Sequence, residues 1–179
     1  DIITKISKEQ NRNVYELPVG FKYIAEKMIN EEILIGGEES GGIGFGDFLP
    51  ERDALFAAIV LLNSIAYQEK YLCDSLDEIQ KKYGPSFYNR IDIGFSNQSK
   101  KNIVENYITQ NIPKFICDYP VKNVSKIDGI KLRLNDNHWL LFRFSGTEPL
   151  LRLYCEAPSE EILINSLNWS KNFIKDVIK

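Results

Sequence analysis

Histidine is almost missing from this chain. The single one, His138, sits in Asn135-Asp136-Asn137-His138, which reads as an exposed hairpin turn and not as the seat of acid-base chemistry. Cysteine is scarce too: Cys73, Cys117 and Cys155 lie far apart, with no Cys-x-x-Cys pair and no histidine partner. That spacing argues against a zinc site or a disulfide framework and fits a reducing cytoplasm. Long hydrophobic runs are absent: the longest, Ala54 to Leu62, is about half of the roughly 20 residues that span a bilayer, and no signal peptide precedes it. A membrane partner is therefore not expected. There is no basic excess either, with 22 Lys and Arg against 25 Asp and Glu, so the electrostatic footprint of a nucleic-acid binder is missing.

What is present is globular in composition. Hydrophobic residues at 44% and charged residues at 26% are enough to build a packed core. The 179 residues exceed a typical domain of about 100–150, and two small domains are expected, divided where Gly84-Pro85 stops a helix. In the first, Phe21, Ile24, Ala25, Met28 and Ile29 recur at helical spacing, and Ile33-Leu34-Ile35 reads as a brief buried strand. Six glycines in the eleven residues from Gly36 to Gly46 then read as a loop with unusual torsions or close to a ligand. Pro50 suits the first turn of the next helix, and Leu55 to Ala66, apolar on nearly every face, predicts a helix buried within the domain. Ser75 with Glu78 has the pattern of a capping box.

The texture changes after the boundary. Tyr88 to Phe95 reads as a strand, and Ile103, Val104, Tyr107 and Ile108 mark one face of a helix ended by Pro113. Ile130, Leu132 and Leu134 alternate with Lys131 and Arg133, as in a half-buried strand. Two further strands, Trp139–Phe144 and Leu150–Glu156, follow, and Ser159 caps a last helix carrying Leu163, Leu167, Ile174 and Ile178. Strand, helix, three strands and helix make a small antiparallel α+β sandwich.

Two polar loops carry the chemistry. Arg143-Phe144-Ser145-Gly146-Thr147-Glu148-Pro149 gathers a guanidinium fork, two hydroxyls and a glycine N–H, all of which can donate to one anion such as phosphate. The same residue types also serve a plain hairpin connection. Gly37-Glu38-Glu39-Ser40-Gly41-Gly42 complements it, because a glutamate accepts sugar hydroxyl hydrogens and a serine nearby can donate or accept. Taken alone, its glutamates read more readily as solvated loop residues.

Together, and in this order about a hundred residues apart, the two loops resemble the phosphoglucomutase/phosphomannomutase (phosphohexomutase) family. Val19-Gly20-Phe21-Lys22-Tyr23-Ile24 is similar to the segment preceding that family's sugar loop. The resemblance implies that residues 1–86 are an incomplete third domain, an α/β partial domain, and that 87–179 are the C-terminal phosphate-binding domain, α+β with a mainly antiparallel sheet and two helices. It implies a second half of a longer enzyme, consistent with a chain that opens on Asp1. The family's phosphoserine and magnesium loops have no counterpart: no Asp-Gly-Asp-Gly-Asp-Arg run and no Thr-Ala-Ser-His-Asn-like segment occurs. Mg2+ is thus expected in the full-length enzyme and not on this fragment, whose partners would be a phosphosugar and the missing N-terminal domains.

By the resemblance, Glu38 and Ser40 would bind sugar hydroxyls, and Arg143, Ser145, Gly146 and Thr147 would hold the phosphate that is not reacting. Lys22 would reach the active site to steady a phosphate or assist proton transfer, or else be a solvated lysine at a helix start. Arg152 faces away from Leu151 and Leu153, toward either phosphate or a surface pair with Glu156. Glu39 and Gly42 resemble the glucose type, whereas mannose and amino-sugar members often read Gly-Glu-Met-Ser-Gly-His or Gly-Glu-Gln-Ser-Gly-His. A phosphoglucomutase fragment, inactive alone, is the resulting expectation. A mannose or dual-specificity mutase, or a phosphosugar-binding module without chemistry, are its alternatives.

Overall fold

The structure, a computed structural model, describes residues 2–135 and 137–178. Its elements in chain order are α1 (Ile2–Glu9), α2 (Phe21–Asn30), β1 (Ile35–Gly37), β2 (Ile43–Phe45), α3 (Ala54–Gln68), α4 (Leu72–Tyr83), β3 (Phe87–Gly94), α5 (Gln98–Gln110), β4 (Phe115–Ile116), β5 (Tyr119–Pro120), β6 (Asn123–Ser125), β7 (Ile130–Asn135), β8 (His138–Phe144), β9 (Leu150–Ala157) and α6 (Glu160–Ile178). They form two compact units, Tyr15–Ile79 and a second in which Asp1–Val14 joins Gln80–Lys179. The grouping differs from a simple cut at 86/87, because Glu9 of α1 accepts bonds from Lys82 Nζ (2.5 Å) and Tyr83 Oη (2.7 Å) at the end of α4. Lys5 Nζ also donates to the Tyr83 carbonyl at 2.7 Å. No helix among the described residues is long and apolar enough to cross a membrane.

In the smaller unit, the glycine-rich stretch is not a featureless loop. Its two ends pair as the antiparallel hairpin β1–β2, with Gly36 opposite Gly44, and only Gly41 among its six glycines takes a positive φ, of 92°. The other five keep ordinary torsions, because a hairpin needs the left-handed region only near its turn. α2 packs across the hairpin: a Cβ on Gly36 would stand 2.3 Å from Ile24, and one on Gly44 would stand 2.7 Å from the Phe21 ring. The expected buried strand 33–35 is instead exposed at Leu34 and Ile35.

α3 departs further from expectation. Asp53, not Pro50, starts it, its carboxylate accepting the Phe56 N–H at 2.9 Å as an N-cap should. Phe56 is held by Phe45 edge-on and by Phe48 stacked at 4.2 Å. The rest of the helix is not buried: Leu55 is 80% exposed, Ile59 62% and Leu62 65%. Besides α3 the unit holds only one short hairpin, α2 and the first part of α4, which leave much of a helix that is apolar all round uncovered. Ser75 is no cap either. It lies inside α4, with its hydroxyl 3.4 Å from Gln68, and Glu78 is taken by Lys70 at 2.6 Å.

Within the larger unit, residues 87–178 form the expected mainly antiparallel sheet with two helices, α5 and α6. Its strand order is β3-β9-β8-β7-β6, every neighbouring pair antiparallel. Alternation decides the faces: Ile130, Leu132 and Leu134 of β7, Leu140 and Phe142 of β8, and Leu151 and Leu153 of β9 are buried, and they form one core with Val104 and Ile108 of α5 and Leu163, Leu167 and Ile174 of α6. Each such side chain stabilises the fold by about 1.5–3 kcal/mol when fully buried. The Ile178 side chain lies outside the described ones. Ile103 was expected on the helix's inner face but is exposed, since Val104 and Ile108 already meet the sheet. Ser159 caps α6 as expected, its Oγ 3.3 Å from the Ile162 N–H.

His138 corrects the reading of its turn. It is fully buried at the start of β8, on the same face as Leu140 and Phe142. Its Nε2 meets Ser166 Oγ of α6 at 2.9 Å, and the Tyr119 ring stands edge-on at 4.9 Å. Burial pushes its pKa down to about 4, so it is neutral at pH 7. Of the turn itself, Asp136 lies outside the described residues, and Asn135 Oδ1 accepts the Asn137 N–H at 3.0 Å.

Candidate functional site

Because Phe142 and Leu151 take the helix-covered face of the sheet, their neighbours Arg143 and Arg152 emerge on the other. The two arginines are direct partners across β8 and β9, and Asp92 of β3 is the partner of Arg152. Residues so placed have Cβ atoms about 4.5–5.5 Å apart, and like charges in that position repel. An anion bound beside them relieves the repulsion. Arg152 does not pair with Glu156, which instead accepts from Trp139 Nε1 (2.7 Å) and Ser86 Oγ (3.0 Å). Its own carboxylate neighbours, Asp92 and Glu148, stand 3.8 Å away, and its buried Nε has no hydrogen-bond acceptor among the described residues.

Arg143 is better held. Its Nε donates to Asp128 Oδ2 at 2.9 Å, which orients the guanidinium. Burial works against the charge on Arg143, but the hydrogen bond and charge of Asp128, with Tyr154 adding to them, win, and its pKa moves upward. Asp128 in turn depends on Gly129, which has a φ of 85° and packs so closely on β8 that a Cβ would stand 2.3 Å from the Phe142 carbonyl oxygen. The Asp128-Gly129 pair is a turn signal in the sequence, but nothing local ties it to Arg143, fifteen residues on.

The loop between the strands is closed on itself. Ser145 N–H donates to the Leu150 carbonyl (2.9 Å), and the buried Ser145 Oγ accepts the N–H groups of Thr147 (3.4 Å) and Glu148 (3.2 Å). Its hydroxyl hydrogen is then the part left to donate. Gly146 and Thr147 are exposed at the tip, and a side chain on Gly146 would meet open space. Arg143, Ser145, Gly146 and Thr147 are therefore gathered on one sheet end, with Arg152 beside them.

The other loop lies in the smaller unit. The Glu38 N–H donates to Gly42 and the Gly41 N–H to Glu38, closing the hairpin turn. The Glu38 side chain is only 12% exposed, and its Oε2 accepts Arg52 Nη1 at 3.0 Å. Oε1 makes no bond among the described residues and is available to a hydroxyl. Arg52, the residue missed by sequence reasoning, comes from just before α3 and gives no local signal. Ser40 is exposed at the turn. Lys22 is exposed in the first turn of α2, its Nζ 4.7 Å from the centre of the Tyr23 ring, and nothing bonds it to Glu38 or Ser40. No group of three or more His, Cys, Asp or Glu among the described residues is placed to hold a metal ion.

Residues 1–83 match the family described as phosphoglucomutase/phosphomannomutase, alpha/beta/alpha domain III, and residues 73–165 match phosphoglucomutase/phosphomannomutase, C-terminal domain. The chain is 31% identical over 172 residues to a probable phosphoglucosamine mutase of Pyrococcus horikoshii, covering 96% of this chain and 36% of the relative. It is 28% identical to a phosphomannomutase of Mycoplasmoides pirum, covering all of this chain and 35% of that protein. Among solved structures, a putative phosphomannomutase from Thermus thermophilus superposes with a TM-score of 0.76 at 28% identity, covering 97% of this chain and 34% of the other. The chain thus spans about a third of the length of the relatives it matches.

Proposed function

Because the chain belongs to the phosphoglucomutase/phosphomannomutase family, we propose that it supplies the sugar and distal-phosphate contacts of a hexose-phosphate mutase, an intramolecular phosphotransferase. The observation that carries this is the side-by-side placement of Arg143 and Arg152 at the mouth of a loop rich in donors. Arg143, the Ser145 hydroxyl, the Gly146 N–H and Thr147 hold the phosphate at the end of the sugar that is not reacting. Glu38 and Ser40 take sugar hydroxyls, with Arg52 holding the Glu38 carboxylate in place. Lys22 adds a cation that steadies phosphate or moves a proton. A phosphosugar that must present each end in turn is gripped by charge in either pose, and binding energy remote from the bond being broken is used to orient it.

On this reading, 1–86 is an incomplete third domain and 87–179 the fourth, and the chain works with N-terminal domains that bring the phosphoserine and a Mg2+ ion, in a cytoplasmic setting. Mg2+ supplies charge stabilisation of the transferring phosphoryl group when bound there. The exposed Leu55, Ile59 and Leu62 of α3 support the need for a further layer, since exposed apolar patches of this kind are interaction surfaces. For the sugar, Glu39 and Gly42 favour glucose, while relatives named for glucosamine and mannose favour those sugars. Calorimetric titration of the 179-residue chain with glucose 1-phosphate, mannose 1-phosphate and glucosamine 6-phosphate ranks the three. Tightest binding of the glucose ester without turnover is expected. Preference for another ester overturns the glucose assignment, and turnover overturns the need for N-terminal domains.

A further inference from the structure

Lys101, in the first turn of α5, is a buried lysine without an acidic partner. It is only 5% exposed, and its one side-chain bond among the described residues is from Nζ to the Ser145 carbonyl, at 2.5 Å. Buried ammonium groups are costly unless paired with a carboxylate or another anion, and a single carbonyl satisfies one of three donors. The carbonyl it holds belongs to the 145–146 peptide. In a trans peptide the C=O and the N–H point in opposite directions, so fixing this oxygen toward α5 turns the Gly146 N–H away from the helix, toward the exposed loop tip. The same segment is fastened a second time, through the Phe95 N–H to the Pro149 carbonyl at 2.8 Å.

We infer that Lys101 is a positioning residue of the phosphate loop: it pins the 145–146 peptide so that the Gly146 N–H donates to the ligand's phosphate, and its buried charge is balanced when that dianion is bound. The inference rests on the assignment of loop 143–149 to phosphate. Lys101 touches no sugar and transfers no proton. It acts through one peptide group, whose N–H becomes a stronger donor because a cation polarises the carbonyl on its other side. No sequence signal marks it, since Lys100-Lys101 reads as ordinary helix surface.

The test uses the whole 179-residue chain and glucose 6-phosphate, with Lys101→Met and Lys101→Arg. Lys101→Met should weaken binding about tenfold or more, in line with loss of a charge-assisted contact, and Lys101→Arg should recover most of it. Thermal melts separate this from a merely structural role. Lys101→Met should leave the ligand-free midpoint little lowered while losing most of the upward shift that glucose 6-phosphate gives the wild type. Should Lys101→Met fail to fold, amide NMR of the wild type decides, with the Gly146 signal moving on saturation as the supporting result and an unmoved signal the overturning one. Wild-type binding with Lys101→Met affinity within about twofold overturns the inference alone. Absence of any wild-type binding overturns the phosphate assignment and the inference with it.

Discussion

Acidification from pH 7.5 to 5.5 should destabilise the larger unit through one side chain, His138. Its folded pKa of about 4 lies below the usual 6.5 because the ring is buried against Tyr119 and Ser166. The unfolded chain therefore takes up a proton near pH 6.5 that the folded chain refuses until about pH 4. Stability is full above pH 6.5 and falls as the pH drops toward 4. Each tenfold rise in proton concentration across that window removes about 1.4 kcal/mol. Between pH 7.5 and 5.5 the loss comes to about 1.4 kcal/mol, and it levels off near 3 kcal/mol at about pH 4. No second histidine exists to blur the result, and most carboxylates titrate lower. Urea unfolding followed by tryptophan fluorescence suits the measurement, because both tryptophans, Trp139 and Trp169, belong to this unit. With a slope of about 2 kcal/mol per molar urea, the midpoint should fall by about 0.7 M. In His138→Leu the dependence over this range should flatten. A wild-type shift below about 0.2 M, or an equal shift in the variant, would refute the reasoning.

Other outcomes follow from single contacts. Gly129→Ala should cost about 1–3 kcal/mol in the same urea assay, since it forces a positive φ and a Cβ into the Phe142 carbonyl, and a loss below about 0.5 kcal/mol would contradict the close approach. Iodoacetamide at pH 8 should label exposed Cys73 quickly and leave Cys155 unmodified until the chain unfolds, because burial pushes that thiol up to about 12, a pattern read by mass spectrometry. Asp53→Ala should lower stability by about 1 kcal/mol through loss of the α3 cap, measured by helical circular dichroism of the melt.

The parts of the fold legible in the sequence are those set by local periodicity. Ile130, Leu132 and Leu134 alternate because one sheet face is covered, and Ser159 caps because its hydroxyl reaches an N–H three residues on. The candidate site was legible as composition, in loops whose donors cluster along the chain. What sequence could not supply are partners brought from afar. His138 is buried because Ser166 and Tyr119 meet it, and Arg152 lies against Asp92 and Arg143 through sheet register, not through its neighbour Glu156. Glu38 depends on Arg52, and Arg143 on Asp128, by contacts that no spacing announces. Uniform apolarity in α3 read as burial, yet burial also requires a covering layer, which the smaller unit does not contain.

Titration of inorganic phosphate and glucose 6-phosphate into the wild type and Arg143→Ala goes most directly to the phosphate site. Saturable binding of both to the wild type, weakened in Arg143→Ala by about 1.5–3 kcal/mol, or tenfold and more, is the expected result. Equal affinity of the two proteins, with Arg143→Ala still folded, would contradict it.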